Sequence, residues 1–308
     1  MNHQYQLQPY QGRQSRYRCP ACNHHRKTFK RYVDTHAGEA LAPHVGLCDR
    51  VDSCGYHFTP KQFFEQAGRI QVSFNSKAPR RRTPQPDLFI NPYYVNESFA
   101  DYGQNNFVQY LITRFGLDMA DKLVGMYRIG TSHHWPGATI FWQLDAGGNA
   151  RSGKIMLYNA ATGKRVKQPY NHITWAHTVL ARQHNATEPF TLKQCLFGEH
   201  LLTTSVYKHV AIVESEKTAV IAAALMPSFF WLACGSLEGL NTAKCKPLQG
   251  RQVMLFPDVN GYQKWQQKAT DLRRALPGTR IEVSGLLETR ATEHDRKTGA
   301  DIGDVVFR

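Results

Sequence analysis

The chain changes its hydrophobic rhythm along its length, and each change predicts a different kind of structure. Phe107, Tyr110, Leu111 and Phe115 recur at helical spacing, and Gly116 follows as a stop. A second short helix is expected over Met119–Met126. The pattern then turns to strand-like runs. Ala138–Leu144 and Arg151–Tyr158 read as strands around Asp145-Ala-Gly-Gly-Asn149, a hairpin signal, and Ala161-Thr-Gly163-Lys-Arg165 is a second turn. From residue 209 onward, short apolar runs alternate with helical stretches. Strands are expected at His209–Val213, Phe229–Ala233, Gln252–Pro257 and Arg280–Val283. Helices are expected at Glu216–Leu225, stopped near Pro227, and at Gln263–Ala275. This order predicts an α/β layer with a mainly parallel sheet flanked by helices.

The rhythm also sets boundaries. Residues 71–97 are rich in Pro, Asn and charge and carry no lasting periodicity, which reads as a linker. Four parts follow: a small β unit over 1–68, a linker over 69–97, a basic α+β subdomain over 98–205 and an α/β domain over 206–308. The linker's Lys77-Ala-Pro-Arg80-Arg81-Arg82 either touches phosphates or is simply solvated.

Length and charge sharpen the picture. A chain of 308 residues with 42 % hydrophobic content is long enough for two or three compact units. Lys and Arg outnumber Asp and Glu by 38 to 24, a net charge of +14, which favours polyanionic partners, nucleic acid first among them. The excess is +7 over residues 1–97, +4 over 98–205 and +3 over 206–308, so the acids are densest at the C-terminal end. No run of 18 apolar residues marks a membrane span, and the first sixteen residues lack the apolar stretch of a signal peptide. Seven cysteines in such a chain point to a reducing cytoplasm, where clustered pairs serve as metal ligands more often than as disulfides.

Cys19-Pro-Ala-Cys22 and, further on, Cys48 and Cys54 form two pairs. A thiolate pair from each of two turns can close a tetrahedron around a structural Zn²⁺. Asn23 and Gly55 suit those turns, and Phe29, Tyr32 and Val33 can form a hairpin between them. A redox Cys-x-x-Cys is the competing reading. His24, His25 and His57 lie nearby but are read as surface or packing residues. Cys195, Cys234 and Cys245 have no partner spacing and read as buried thiols.

Three acidic clusters follow apolar strands or turns. Val210-Ala-Ile-Val213 runs into Glu214-Ser-Glu216, Val253-Met-Leu-Phe-Pro257 into Asp258-Val-Asn260-Gly261, and Asp301 and Asp304 lie near the C-terminus. Acids at the carboxyl ends of parallel strands face the crevice where such sheets bind ligands. Hard oxygen ligands of this kind suit Mg²⁺ or Mn²⁺. Taken singly, Glu214 also suits the first turn of a helix and Asp258 a turn.

These residues carry a resemblance. Strand-Glu followed by strand-Asp-x-Asp resembles the TOPRIM domain of DnaG-type primases, topoisomerases and related nucleases. The resemblance gives Glu214 the place of the family's Glu, Asp258 that of the first Asp, and Asp301 that of the acid in the last motif. Gly235-Ser236 resembles the small-residue turn after the second strand. Asn260 stands where the family has a second Asp. An amide ligates through its carbonyl oxygen but brings no charge, and Glu216 or Asp304 can compensate.

The middle segment resembles the subdomain preceding TOPRIM in the same enzymes. The likeness runs through Tyr110-Leu-Ile-Thr-Arg114-Phe-Gly-Leu117, Tyr127-Arg-Ile-Gly130, Ile140–Leu144, Gly147-Gly148 and Arg151–Gly153. It implies that Arg151, Lys154, Lys164, Arg165 and Lys167 hold template or nucleotide. Trp135, Trp142, Tyr158 and Trp175 either stack bases or, more in keeping with their type, fill the core. The order of zinc ribbon, basic segment and TOPRIM covers nearly the whole chain. Arg18-Cys-Pro-Ala-Cys22, Val45-Gly-Leu-Cys48-Asp-Arg50, Cys54-Gly-Tyr-His57 and Val213-Glu-Ser-Glu-Lys-Thr218 also resemble compact TOPRIM-like proteins of bacterial mobile elements.

The resemblance implies a primase-like nucleotidyltransferase, catalytic at Glu214, Asp258, Asn260 and Asp301. It would hold Mg²⁺ or Mn²⁺ on Glu214, Asp258, Asp301 and Asp304. Its partners would be single-stranded DNA, nucleoside triphosphates and replication or mobilisation proteins. A non-catalytic single-stranded nucleic-acid-binding module in replication, mobilisation or defence ranks second, and a TOPRIM metal-dependent nuclease third.

Overall fold

The computed structural model describes residues 4–50, 54–66, 87, 89–183 and 191–305. The chain divides into two compact units, Met1–Arg82 and Thr83–Arg308. No helix among the described residues is long and apolar enough to cross a membrane.

The first unit is a small antiparallel sheet of β1 (Tyr5–Leu7), β2 (Phe29–Asp34), β3 (Gly46–Cys48) and β4 (His57–Phe58), in that spatial order, followed by helix α1 (Pro60–Gln66). Its interior is slight. Among its described residues, Cys19, Phe29 and Cys48 form a buried apolar cluster, with Tyr17, Cys22, Cys54 and Tyr56 packed around them, and Val45 is buried as well. So few buried side chains cannot offset the ordering of the chain, and a domain of this kind needs a further cross-link.

The second unit opens with α2 (Pro92–Glu97), α3 (Asn106–Phe115) and α4 (Leu117–Tyr127). Helix α2 occupies the last residues of the expected linker, where Asn91 caps it by accepting from the Tyr93 amide and Val95 is buried. The basic run at 77–82 lies outside the described residues. Asn105 caps α3, and Gly116, at φ +82, separates α3 from α4 in a backbone state that disfavours any side chain. An antiparallel meander follows: β5 (Ile129–Ser132), β6 (Ala138–Leu144), β7 (Ala150–Met156) and β8 (Ile173–Trp175), with α5 (Ala176–Gln183) packed against it. The expected β6–β7 hairpin is present. Its turn is closed by Asp145, whose Oδ1 accepts from the amides of Gly147 and Asn149 at 2.9 Å each.

The remainder is an α/β layer. Strands β9 (Val210–Val213), β10 (Phe230–Ala233), β11 (Gln252–Leu255) and β12 (Arg280–Val283) form a sheet in the order β10-β9-β11-β12, every pair parallel. Helix α6 (Glu216–Leu225) follows β9 and is buried on nearly every side. Short helix α7 (Thr242–Cys245) precedes β11. Helix α8 (Tyr262–Ala275) buries Trp265, Ala269 and Leu272, one stripe at helical spacing. Short helices α9 (Leu286–Arg290), α10 (Glu293–Thr298) and α11 (Ile302–Val305) complete it.

The two segments expected as separate domains, 98–205 and 206–308, belong to this one compact unit. A single hydrophobic cluster runs from Phe107 to Ile302. Tyr127, fully buried, donates its hydroxyl to the Trp231 carbonyl at 2.9 Å and stacks on Phe197. Phe197 exchanges backbone hydrogen bonds with Ala233 at 3.0 and 3.1 Å. The meander and the parallel sheet are therefore joined through their cores.

Candidate metal centre and nucleic-acid cleft

In the first unit, Cys19 and Cys22 come from the turn before β2, Cys48 ends β3, and Cys54 lies in the turn that follows. Asn23 (φ +44) donates its amide to the Cys19 carbonyl, and the Cys54 and Gly55 amides reach the Arg50 carbonyl, so both turns present sulfur inward. The four Sγ atoms all lie within 4.8 Å of one another. Cys19 and Cys54 Sγ are 3.7 Å apart. A tetrahedral ion with Zn–S bonds of about 2.3 Å requires an edge of about 3.8 Å. The donor set fits a structural Zn²⁺. The Cys22 thiol is lowered, chiefly by the backbone amide of His24, which eases the loss of its proton, whereas at Cys54 the lowering by the Tyr56 amide is outweighed by burial and the other three thiols, and the thiol is raised. Two of the neighbouring histidines are engaged elsewhere. His57 Nε2 is 3.0 Å from the Tyr32 hydroxyl, and His24 Nδ1 accepts from the Arg26 amide.

In the second unit, a cleft of about 840 Å³ opens over the carboxyl ends of β9 and β11. It brings together Glu214, Asp258, Asp301 and Asp304 with Lys154, Lys164, Arg165 and Lys167, eight residues gathered from four stretches of sequence. Glu214 follows the last residue of β9, and Asp258 lies three residues past β11. Asp301 precedes α11, where its Oδ1 accepts from the Asp304 amide at 3.0 Å and its other oxygen accepts the Thr218 hydroxyl. Lys154 lies on β7 itself, and Lys164, Arg165 and Lys167 lie on the connection between β7 and β8. That connection is a tight turn: Asn159 Oδ1 accepts from the amides of Ala161 and Thr162, and Tyr158 pairs with Arg165. Gly163, at φ +61, packs against the Tyr110 ring, where a Cβ would come within 2.5 Å of Cζ. Lys164, Arg165 and Lys167 are thereby held exposed at the rim.

The electrostatics reflect crowding. Burial pushes the Asp258 carboxyl up to about 8, with Glu214, Asp301 and Asp304 adding to the rise and Lys217 opposing it. Burial also raises Glu214, while Lys154 pulls it back. Carboxyls gathered this way are short of positive charge, and that is the condition a divalent cation relieves. Among the described residues, however, only the four cysteines bring three or more metal-type ligand atoms within 4.8 Å of one another; the acids stand further apart.

Three residues fall elsewhere than expected. Asn260 (φ +69) turns its side chain out and donates to the Arg296 carbonyl at 2.8 Å, away from the cleft. Arg151 sits where the β6–β7 register shifts, bound to Asp145 at 2.7 Å and Asp87 at 3.6 Å, with Phe89 against its guanidinium. It is a structural ion pair, because the bulge directs it to the hairpin turn and not to the cleft. Lys154 lines the cleft but is buried and already bound to Glu216. Of the candidate stacking rings, Trp142 and Tyr158 are core, while Trp135 packs edge-on to His172 and Trp175 lies near His177. Thr218 closes the Val213-Glu-Ser-Glu-Lys-Thr218 motif, and its hydroxyl on Asp301 is what marks it as part of the site.

The fold is thus an α/β unit with a parallel sheet and an acidic strand-end cleft, preceded by a zinc ribbon. A model for a zinc beta-ribbon finger family matches residues 3–69. The chain belongs to the family described as a domain of unknown function, DUF6371, whose model matches residues 105–259, half of its length. No curated protein matches it in sequence. Among solved structures it is similar to the primase fragment of the bacteriophage T7 primase-helicase protein, at 12 % identity and a TM-score of 0.38, over 92 % of this chain and 98 % of that one. It is also similar to a DnaG primase catalytic domain bound to ssDNA, at 10 % identity and a TM-score of 0.38, over 70 % and 83 % of the two chains. A third is the Aquifex aeolicus primase (zinc-binding and RNA polymerase domains), at 10 % identity and a TM-score of 0.33, over 62 % and 48 %.

Proposed function

We propose that this protein acts on single-stranded nucleic acid through the cleft of its second unit, as a primase-like nucleotidyltransferase of TOPRIM type. One observation carries the reading. Acids that follow two adjacent parallel strands, joined by Asp301 and Asp304, face a rigid turn carrying Lys164, Arg165 and Lys167 across one cleft. Glu214 and Asp258 would hold a Mg²⁺ or Mn²⁺ ion, which supplies charge neutralisation and Lewis acidity toward a triphosphate. Lys164, Arg165 and Lys167 bind phosphates and fix the strand's course over the acids. The zinc ribbon offers a second, independently folded surface for template. The test is primer synthesis by the purified full chain on single-stranded template with nucleoside triphosphates and Mg²⁺ or Mn²⁺. Product that Asp258→Ala abolishes supports the reading, and its absence under both metals removes it.

A second reading, a non-catalytic binding module, is favoured by the outward turn of Asn260 and the separation of the acids. It expects single-stranded DNA binding with a steep salt dependence that Glu214→Ala leaves unchanged. A metal-dependent nuclease would share the site; substrate cleavage without added nucleotides, blocked by EDTA, separates it from the primase reading.

A further inference from the structure

The floor of the cleft holds a buried ion pair without a task in the scheme above. Lys154 reaches from β7 toward the parallel sheet. Its Nζ donates to Glu216 Oε2 at 3.0 Å and to the Gly235 carbonyl at 3.1 Å. The two side chains are 8 % and 1 % exposed. The other carboxylate oxygen, Glu216 Oε1, is buried and has no hydrogen-bond partner among the described residues. An ionised oxygen left so is costly unless something else meets it. Gly235 (φ +80) leaves the space open: a Cβ there would lie 3.3 Å from Glu216 Oε1 and 3.9 Å from Lys154 Nζ.

The pair lies in the same cleft as Glu214 and Asp258. Two further positions, an amide and a carboxyl, are unfavourable for a second ion. Asn260 points outward to the Arg296 carbonyl, and Asp301 is held by the Thr218 hydroxyl and the Asp304 amide. What the floor offers instead is a fixed ammonium, a compact point charge on a carboxylate with one oxygen to spare.

We propose that the cleft takes one divalent cation, at Glu214 and Asp258, and that the Lys154 ammonium, positioned by Glu216, supplies the second positive charge in place of a second ion. This rests on the cation reading of the cleft given above. Lys154 is a positioning and charge-supplying residue here, and neither a phosphate ligand nor only a pin between the two sheets. A cation and an ammonium compete for Glu216, so removing the ammonium opens Glu216 to metal.

The experiment is a Mn²⁺ titration of the zinc-loaded full chain, read by electron paramagnetic resonance at fixed ionic strength. The wild type binds one Mn²⁺ in the cleft, and Asp258→Asn removes it. If the wild type binds none, the cation reading itself fails; if it binds two, that reading stands and the present proposal falls. Lys154→Gln takes a second Mn²⁺, or binds the first about tenfold more tightly because a repelling charge is gone. Adding Glu216→Gln to Lys154→Gln returns the count to one. Unchanged Mn²⁺ binding in Lys154→Gln overturns the proposal, whether melting temperature falls (a structural pin) or single-stranded DNA affinity falls (a phosphate contact). Should Lys154→Gln fail to fold, Glu216→Gln decides. It leaves the ammonium unneutralised and weakens Mn²⁺ binding about tenfold, and an unchanged affinity overturns the proposal equally.

Discussion

Replacing Asp258 by Asn tests the crowding of the cleft without reference to catalysis. The folded protein holds the Asp258 carboxyl up to about 8, against an ordinary value of 3.8, chiefly through burial and then through Glu214, Asp301 and Asp304. A carboxyl raised in this way binds its proton more tightly when folded than when unfolded. Its contribution to stability is therefore neutral below pH 4, falls as pH rises from 4 to 8, and levels off above 8. Each pH unit in that window costs about 1.4 kcal/mol, an upper limit of about 5 to 6 kcal/mol over the whole of it. Asp258 keeps partial contact with solvent, so about 2 to 3 kcal/mol is the working figure. Asn has the same shape and no charge. Metal-free Asp258→Asn should then melt about 5 to 10 °C above the wild type at pH 8.5, since a unit of this size moves about 2 to 4 °C per kcal/mol. The gain should shrink steadily toward pH 4. Calorimetric melting of both proteins from pH 4 to 9, with EDTA kept below the level that strips zinc, reads the effect. Mg²⁺ should raise the wild-type melting temperature at pH 8.5 and leave the variant unmoved. Parallel melting profiles across that range would refute the reasoning, because burial and the neighbouring acids would then not hold the Asp258 carboxyl above its ordinary value.

Four further outcomes follow from the structure. Stripping zinc with a strong chelator should unfold the first unit, whose buried cluster is too small to stand alone, while the second unit's melting transition stays in place; metal release and circular dichroism recorded together check this. Tyr127→Phe removes the hydroxyl that reaches the Trp231 carbonyl inside the core and should cost about 1 to 2 kcal/mol in urea unfolding, without a change in Mn²⁺ binding. Replacing Lys164, Arg165 and Lys167 together by Ala should lower the magnitude of the slope of log affinity against log salt for single-stranded DNA by about 2, at about 0.7 per phosphate contact. Arg151→Ala should leave that slope unchanged, because its guanidinium serves Asp145 and Asp87.

Local pattern carried much of this protein. Helix α6 spans Glu216–Leu225 and strand β12 spans Arg280–Val283, the bounds the sequence predicts, since hydrophobic period and stop residues act within a few positions. The cysteine pairs were legible for the same reason: ligand spacing and turn residues are local, and the structure brings all four sulfurs together. The acids Glu214 and Asp258 could be placed at strand ends because a strand's direction follows from its order in the chain. What escaped was set by distance across the fold. Whether Asn260 faces the cleft depends on the Arg296 carbonyl, 36 residues away, and whether Arg151 is free depends on a bulge and on Asp87. Lys154 reads in sequence as one more basic residue. Only the approach of β7 to the start of α6, which buries its ammonium against Glu216, makes it part of the floor of the site. Composition and periodicity determine which elements form and which chemistry they carry. Which charges meet, and which are already spent on one another, is decided by packing between elements that no local pattern encodes.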